Sequence, residues 1–350
     1  MMRRIIVFLL LTPLCFTANS SQIISNVVFG SCLRQWKPQP IWDAIVSSNP
    51  DIFLFIGDNV YADTTDSTVM RRTYQQLGSQ DGYKKLKSAT PIHATWDDHD
   101  YGANDAGADY PMREESEQIF LDFFGVPAGA PERKRPGVYS THMYGPPEQR
   151  LQIIMLDTRY FRSPLKRDVP SADCPRVNHA QNTDADATIL GSDQWVWLEE
   201  QLRKPARLRI IASSIQVIPD EHCFEKWSNF PLERERLFQT IRNSNATGLL
   251  IISGDRHLAE ISRLDPEVVG YPLYEITSSG MNSAGAGQGE RNRYRIDTDN
   301  FRGDNFGAIR IDWDAPSPHL VLQVRNQSGN IVKSHFVPFN EIDVIDKAAR

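Results

Sequence analysis

A layered α/β fold is predicted for this 350-residue chain, and three observations predict it. Six short apolar runs each break off in polar residues of the kind that hold metals or phosphates: Asn26–Cys32, Asp51–Asp58, Ile92–Asp100, Leu151–Arg159, Leu208–Ser214 and Leu249–His257. Runs of this length, rich in Val, Ile and Phe, suit strands covered on both faces. Segments with helical spacing fall between them, and such alternation marks a layered α/β unit. The carboxy-terminal part then alternates apolar and polar residues, which adds further sheet.

The elements follow in order. Ile41, Trp42, Ile45 and Val46 lie at helical spacing within Pro40–Ser48, and Ile119, Phe120, Phe123 and Phe124 share one side of Arg113–Phe124. Ser192 is placed to cap a helix over Asp193–Arg203, with Trp195, Leu198 and Leu202 inward. Leu237, Phe238 and Ile241 mark another helix, Leu232–Arg242. A strand over Tyr271–Thr277 leads into the Gly-rich stretch Ser278–Gly289. Phe306–Trp313 and His319–Val324 read as strands, and Ser328-Gly329-Asn330 as a turn before Ile331–Val337, a hairpin. Arg162–Ile189 and Met281–Asn300 are polar and aperiodic, hence long surface loops around the mouth of a site.

The first twenty residues have the layout of a secretory leader: Arg3 and Arg4, an apolar stretch Ile5–Phe16, then small polar residues, with cleavage expected between Ala18 and Ser21. The apolar stretch is too short to span a bilayer, and no other stretch is long and apolar enough, so no transmembrane anchor is expected. Residues 21–350 then form a single domain, secreted or periplasmic. Hydrophobic content of 40% and charged content of 23% are ordinary for a soluble protein. The formal net charge is −6, and no block of like charge indicates a nucleic-acid surface, so no stable nucleic-acid complex is expected. Of the four cysteines, Cys15 leaves with the leader and Cys32 ends the first strand. Cys174 and Cys223 either pair in an oxidising compartment or stay as two isolated thiols.

Polar residues at strand ends are where α/β folds place ligands. Asp58 and Tyr61 sit three residues apart on a Gly-containing turn and can address one ion, although Asp58 could instead cap the next segment with Tyr61 as a surface aromatic. A phenol gives up its proton only to a strong Lewis acid, which favours Fe3+ over Mg2+. Cys32 is either a small buried hydrophobe or the thiolate that completes this face. Asp97, Asp98, His99 and Asp100 crowd three carboxylates and an imidazole, which calls for a cation unless the turn is solvated. Asp255 and His257 can ligate together. Arg159, with Arg162 near it, offers a fork for phosphate oxygens or else pairs with Asp157.

Together, Phe29–Cys32, Gly57–Tyr61, Trp96–Asp100, Leu156–Arg159, Gln194–Leu198 and Gly254–His257 resemble, in order from Val27 to Val337, the PhoD-like alkaline phosphatases, a branch of the calcineurin-like metallophosphoesterases. The resemblance implies a four-layer αββα sandwich of two mixed sheets flanked by helices, export, and phosphate ester hydrolysis at an Fe3+–Ca2+ centre. It implies Cys32, Asp58 and Tyr61 as ferric ligands, with Asp58 bridging to the second metal. Asp98 or its neighbour Asp97 stands where relatives have an Asn ligand, His99 where they have a substrate-facing His, and Asp255 and His257 where they have a His pair. PhoD proteins often carry a small β domain before the catalytic one, and none is expected here.

The function expected is an exported metal-dependent phosphohydrolase acting on small or polymeric phosphate monoesters or diesters. His99 would assist the leaving group, while Arg159 and Arg256 would offset phosphoryl charge. Within that class a phospholipase C-type enzyme acting on lipid or envelope diesters is the alternative. Outside it stands a non-catalytic, calcium-dependent surface-binding protein, against which Cys32 and Tyr61 argue.

Overall fold

The computed structural model describes residues 21–343 apart from 173, 176 and 286–289, so the expected leader lies outside the described residues. Strands β1 (Asn26–Gly30), β2 (Ile52–Ile56) and β3 (Ile92–Thr95) run parallel. Next come β4 (Ser140–Tyr144), β5 (Leu151–Met155), a short hairpin of β6 (Lys166–Arg167) and β7 (His179–Ala180), β8 (Leu208–Ser213) and β9 (Leu249–Ser253). The carboxy-terminal strands are β10 (Ala259–Leu264), β11 (Leu273–Ser278), β12 (Asn305–Asp312), β13 (His319–Asn326) and β14 (Ile331–Pro338). Two six-stranded mixed sheets result, ordered β14-β13-β12-β1-β2-β3 and β10-β11-β9-β8-β5-β4. All six apolar runs are strands, three in the parallel part of each sheet.

Alternation along the strands builds the layers. Val27, Phe29, Ile52, Leu54 and Ile56 share one core with Ile210 and Ile251 of the second sheet. That core continues into Trp195 and Leu198 of α6 (Gly191–Leu202) and Leu237 and Ile241 of α7 (Pro231–Ser244). Val28, Phe53 and Phe55 point the other way, into a core with Trp42, Tyr74, Tyr83 and Phe120. These four belong to α1 (Ile41–Ser47), α2 (Ser67–Ser79), α3 (Asp81–Ala89) and α5 (Arg113–Phe123), with the single turn α4 (Asp98–Tyr101) between α3 and α5. Helices α6 and α7 cover the second sheet. The expected four-layer αββα sandwich is therefore present.

Some boundaries differ from expectation. Ser192 does not cap α6: the helix begins one residue earlier, and Ser192 Oγ instead donates to Asp193. Thr188 Oγ1 accepts from the Gly191 amide, and Glu233 of α7 accepts from the Ile189 and Leu190 amides. A carboxylate from the neighbouring helix thus satisfies amides ahead of α6, which sequence spacing cannot show. Helices α2 and α3 form where no helix was read; Asp66 caps α2 by accepting from the Thr68 and Val69 amides. The loop Arg162–Ile189 holds the β6–β7 hairpin, and Cys174 and Cys223 pair, Cα atoms 5.5 Å apart.

Candidate metal centre

The parallel strands of both sheets end toward one another. Thr95 Oγ1, at the end of β3, donates to Leu156 O across the sheets (2.6 Å), and within the second sheet the Gly254 amide donates to Ser214 O (3.0 Å). The Cys32 and Leu33 amides donate to Gly57 O and Asp58 O, which locks the β1 and β2 loops together. The approach at Gly57 is close: a Cβ there would lie 2.6 Å from Asp97 Cβ, at a φ of +104°. Four of the expected ligands take left-handed backbone: Cys32 (φ 59°), Asp58 (50°), Asp255 (64°) and His257 (53°). Non-glycine residues held in this region cost about 1–3 kcal/mol each and collect where surroundings enforce a functional geometry.

The side chains converge. The ligand-type atoms of Cys32, Asp58 and His257 lie within 4.8 Å of one another, and so do those of Asp58, Asp98 and His99. Asp58 belongs to both groups. Cys32 Sγ is 3.4 Å from Asp58 Oδ2, and the Tyr61 hydroxyl is 2.8 Å from His257 Nε2. Of the two adjacent aspartates, Asp98 enters a group. Asp97 Oδ1 is taken by Arg159 Nε and Ser214 Oγ, while its buried Oδ2 finds no donor. Asp255 is a member of neither group and faces Arg256 at 3.6 Å.

Electrostatics at this site are severe. Burial first, then the Cys32 and Asp98 charges, push the Asp58 carboxyl well above the carboxylate range. Burial and Asp255 push the Cys32 thiol up to about 11, and burial and Asp58 raise the Tyr61 phenol well above its ordinary value. Burial works against the Asp98 charge, but Arg159, His99 and the Asp105 amide outweigh it and hold its pKa at about 2. For His99, burial is outweighed by Asp58, by the Asp63 hydrogen bond and by Asp98, and the imidazole rises to about 11. His257 is depressed to about 4 by burial, Arg256 and Arg34, so it offers a neutral nitrogen. A thiol, a phenol, a neutral imidazole and a buried carboxylate fit one strong Lewis acid. Asp98 beside the shared Asp58 fits a second, harder cation.

The expected arginines lie nearby with different partners. Arg159 is 0% exposed and closed by Asp97 and Glu225; it does not pair with the Asp157 carboxylate, which accepts its backbone amide instead. Arg162 is also buried, bonded to Glu225 (2.8 Å). Arg256 binds Glu290 and lies 4.0 Å over Phe224. Several contributors were not read from sequence. Asp63 holds His99 Nδ1 at 2.7 Å. Asp100, read from sequence as part of the acidic turn, instead accepts from the Asp58 and Asn59 amides and from the Asn59 side chain. Ser279 Oγ lies 3.0 Å from Cys32 Sγ and accepts from the His257 amide. Ser279 follows the apolar strand β11, the same signature as the six runs, and was legible; Glu225 sits in an aperiodic segment with no signal.

The comparisons with known proteins point to one family. The family described as PhoD-like phosphatase matches residues 27–315. Alkaline phosphatase D of Bacillus subtilis (strain 168) is 24% identical over 257 residues, covering 67% of this chain; the chain spans 42% of that relative's length. Among solved structures, PhoD superposes with a TM-score of 0.68 at 17% identity over 91% of this chain and 73% of PhoD. A dimetal phosphatase from Danio rerio gives a TM-score of 0.52 at 11% identity over 91% of this chain and all of that one, which shows a shared fold. With residues 27–315, most of its length, matched by that family, the chain belongs to the PhoD-like phosphatase family.

Proposed function

We propose that this chain hydrolyses phosphate esters at a two-cation centre. Cys32, Asp58, Tyr61 and His257 would hold Fe3+, and Asp58 and Asp98, with Asp255 beside them, would hold Ca2+. The observation that carries the reading is Asp58, the one carboxylate common to both ligand groups. Bound cations supply Lewis acidity toward phosphoryl oxygens and lower the pKa of water.

The chain's own groups do the rest. Asp63 fixes His99 through Nδ1, which leaves Nε2 to donate a proton to the leaving oxygen. Arg256, braced on Phe224, adds positive charge beside Asp255. Arg159 acts indirectly: enclosed by Asp97 and Glu225, it lowers the Asp98 pKa and keeps that carboxylate charged. This role replaces the direct phosphate contact expected from sequence. The Cys174–Cys223 bond supports export to an oxidising compartment, and no helix among the described residues is long and apolar enough to cross a membrane. Residues 21–350 would act as one unit.

Purified protein assayed with p-nitrophenyl phosphate and bis-p-nitrophenyl phosphate, before and after chelation, tests this reading. Turnover of either ester that is lost on chelation and restored by iron with calcium is expected, and the ratio of the two rates assigns monoester or diester preference. Calcium-dependent binding without turnover of either ester would replace the hydrolase with a surface-binding protein.

A further inference from the structure

Two of the arginines around this centre already have carboxylate partners. Arg159 is enclosed by Asp97 and Glu225, and Arg256 is held by Glu290 and Asp255. Arg34 stands apart from both. It follows Cys32 by two residues, and its backbone is clamped by Asn282, whose Oδ1 accepts from the Arg34 amide (2.7 Å) and whose Nδ2 donates to its carbonyl (2.9 Å). Its guanidinium carbon lies 5.2 Å from the centre of the Tyr61 ring, on the phenol whose hydroxyl meets His257. Trp36, 60% exposed, sets its ring edge-on to Tyr61 at 6.1 Å. Among the described residues no ion pair joins Arg34 to a carboxylate, and its buried Nε has no hydrogen-bond partner. A guanidinium on a clamped backbone, beside a crowd of acids and in ion pair with none of them, keeps donors for an incoming anion.

We infer that Arg34 forms an oxyanion subsite on the Tyr61 side of the metal centre, binding a non-bridging phosphoryl oxygen of the ester and, after cleavage, inorganic phosphate. The substrate in this statement rests on the proposed function; the anion chemistry does not, because inorganic phosphate binding is measurable without turnover. The rival role for Arg34 is packing on the Tyr61 ring, and the charge-conserving variant separates the two.

The test titrates inorganic phosphate into metal-loaded wild type, Arg34→Gln and Arg34→Lys by calorimetry, with metal content measured in parallel and phosphate inhibition of p-nitrophenyl phosphate cleavage as a second readout. Arg34→Gln is expected to weaken phosphate binding about tenfold or more at unchanged metal content, with Arg34→Lys in between, because loss of a charge-assisted bond has that magnitude. Phosphate affinity of Arg34→Gln within about twofold of wild type, or lost only in proportion to metal, overturns the subsite. Wild type that binds no phosphate also overturns it. Phosphate bound through Arg34 by a protein that cleaves no ester sustains the subsite and removes the hydrolase reading.

Discussion

Glu275, on β11, is fully buried, and its carboxylate accepts from the Val217 and Ile218 amides. Burial raises its pKa from 4.5 to about 7 against those hydrogen bonds. The folded-state value lies above the unfolded one, so the group's contribution to stability is fully present below about pH 4.5 and is lost as pH rises through 7. Linkage sets this loss on the order of 3 kcal/mol at most. In Glu275→Gln, urea unfolding measured from pH 4 to 8 should lack that part of the decline; an identical pH profile in the variant would contradict the buried-charge argument. At the residue scale, what the sequence showed was position rather than role. The convergence of Cys32, Asp58 and His257 followed from their place at the ends of apolar runs, although each residue alone had a structural alternative, and the choice between Asp97 and Asp98 stayed open. Asp63, Glu225 and Arg34 were not legible. Their roles depend on which loop comes to face them, and local periodicity carries no information about that.

Among the elements, the entry to α6 is the most exposed to a single change. Glu233 of α7 accepts from Thr188 Oγ1, the Ile189 and Leu190 amides and Trp195 Nε1. Glu233→Ala leaves these interior donors without their acceptor, at a cost of about 1–3 kcal/mol for a buried unpaired group. Denaturant unfolding should show a loss of about 3 kcal/mol, and a loss under about 0.5 kcal/mol would contradict the capping role. The six strands, four to six residues long, were readable because short apolar runs that end in polar residues are strong signals. Helices α2 and α3 were not, because their inward stripes are narrow: Met70, Thr73, Tyr74 and Leu77 in one, Tyr83 and Leu86 in the other. The Glu233 cap reaches over from a different helix and leaves no local trace.

Taken as one molecule, the protein places six strand ends from two sheets at one edge, and the centre exists only there. The individual motifs were visible in the sequence; their mutual distances depend on the sheets meeting through contacts such as Thr95 with Leu156 and Asp97 with Ser214. The claim on which the account depends is that Asp58 serves two cations at once. Asn tolerates the left-handed backbone that Asp58 adopts, so Asp58→Asn removes the charge without breaking the turn. Elemental analysis of Asp58→Asn against wild type is the most direct test. Wild type should carry iron together with a second hard cation, and the variant should lose both, with phosphate ester turnover falling on the order of a thousandfold. Full retention of metal in the variant, or loss of one ion with the other left in place, would contradict the shared-ligand centre.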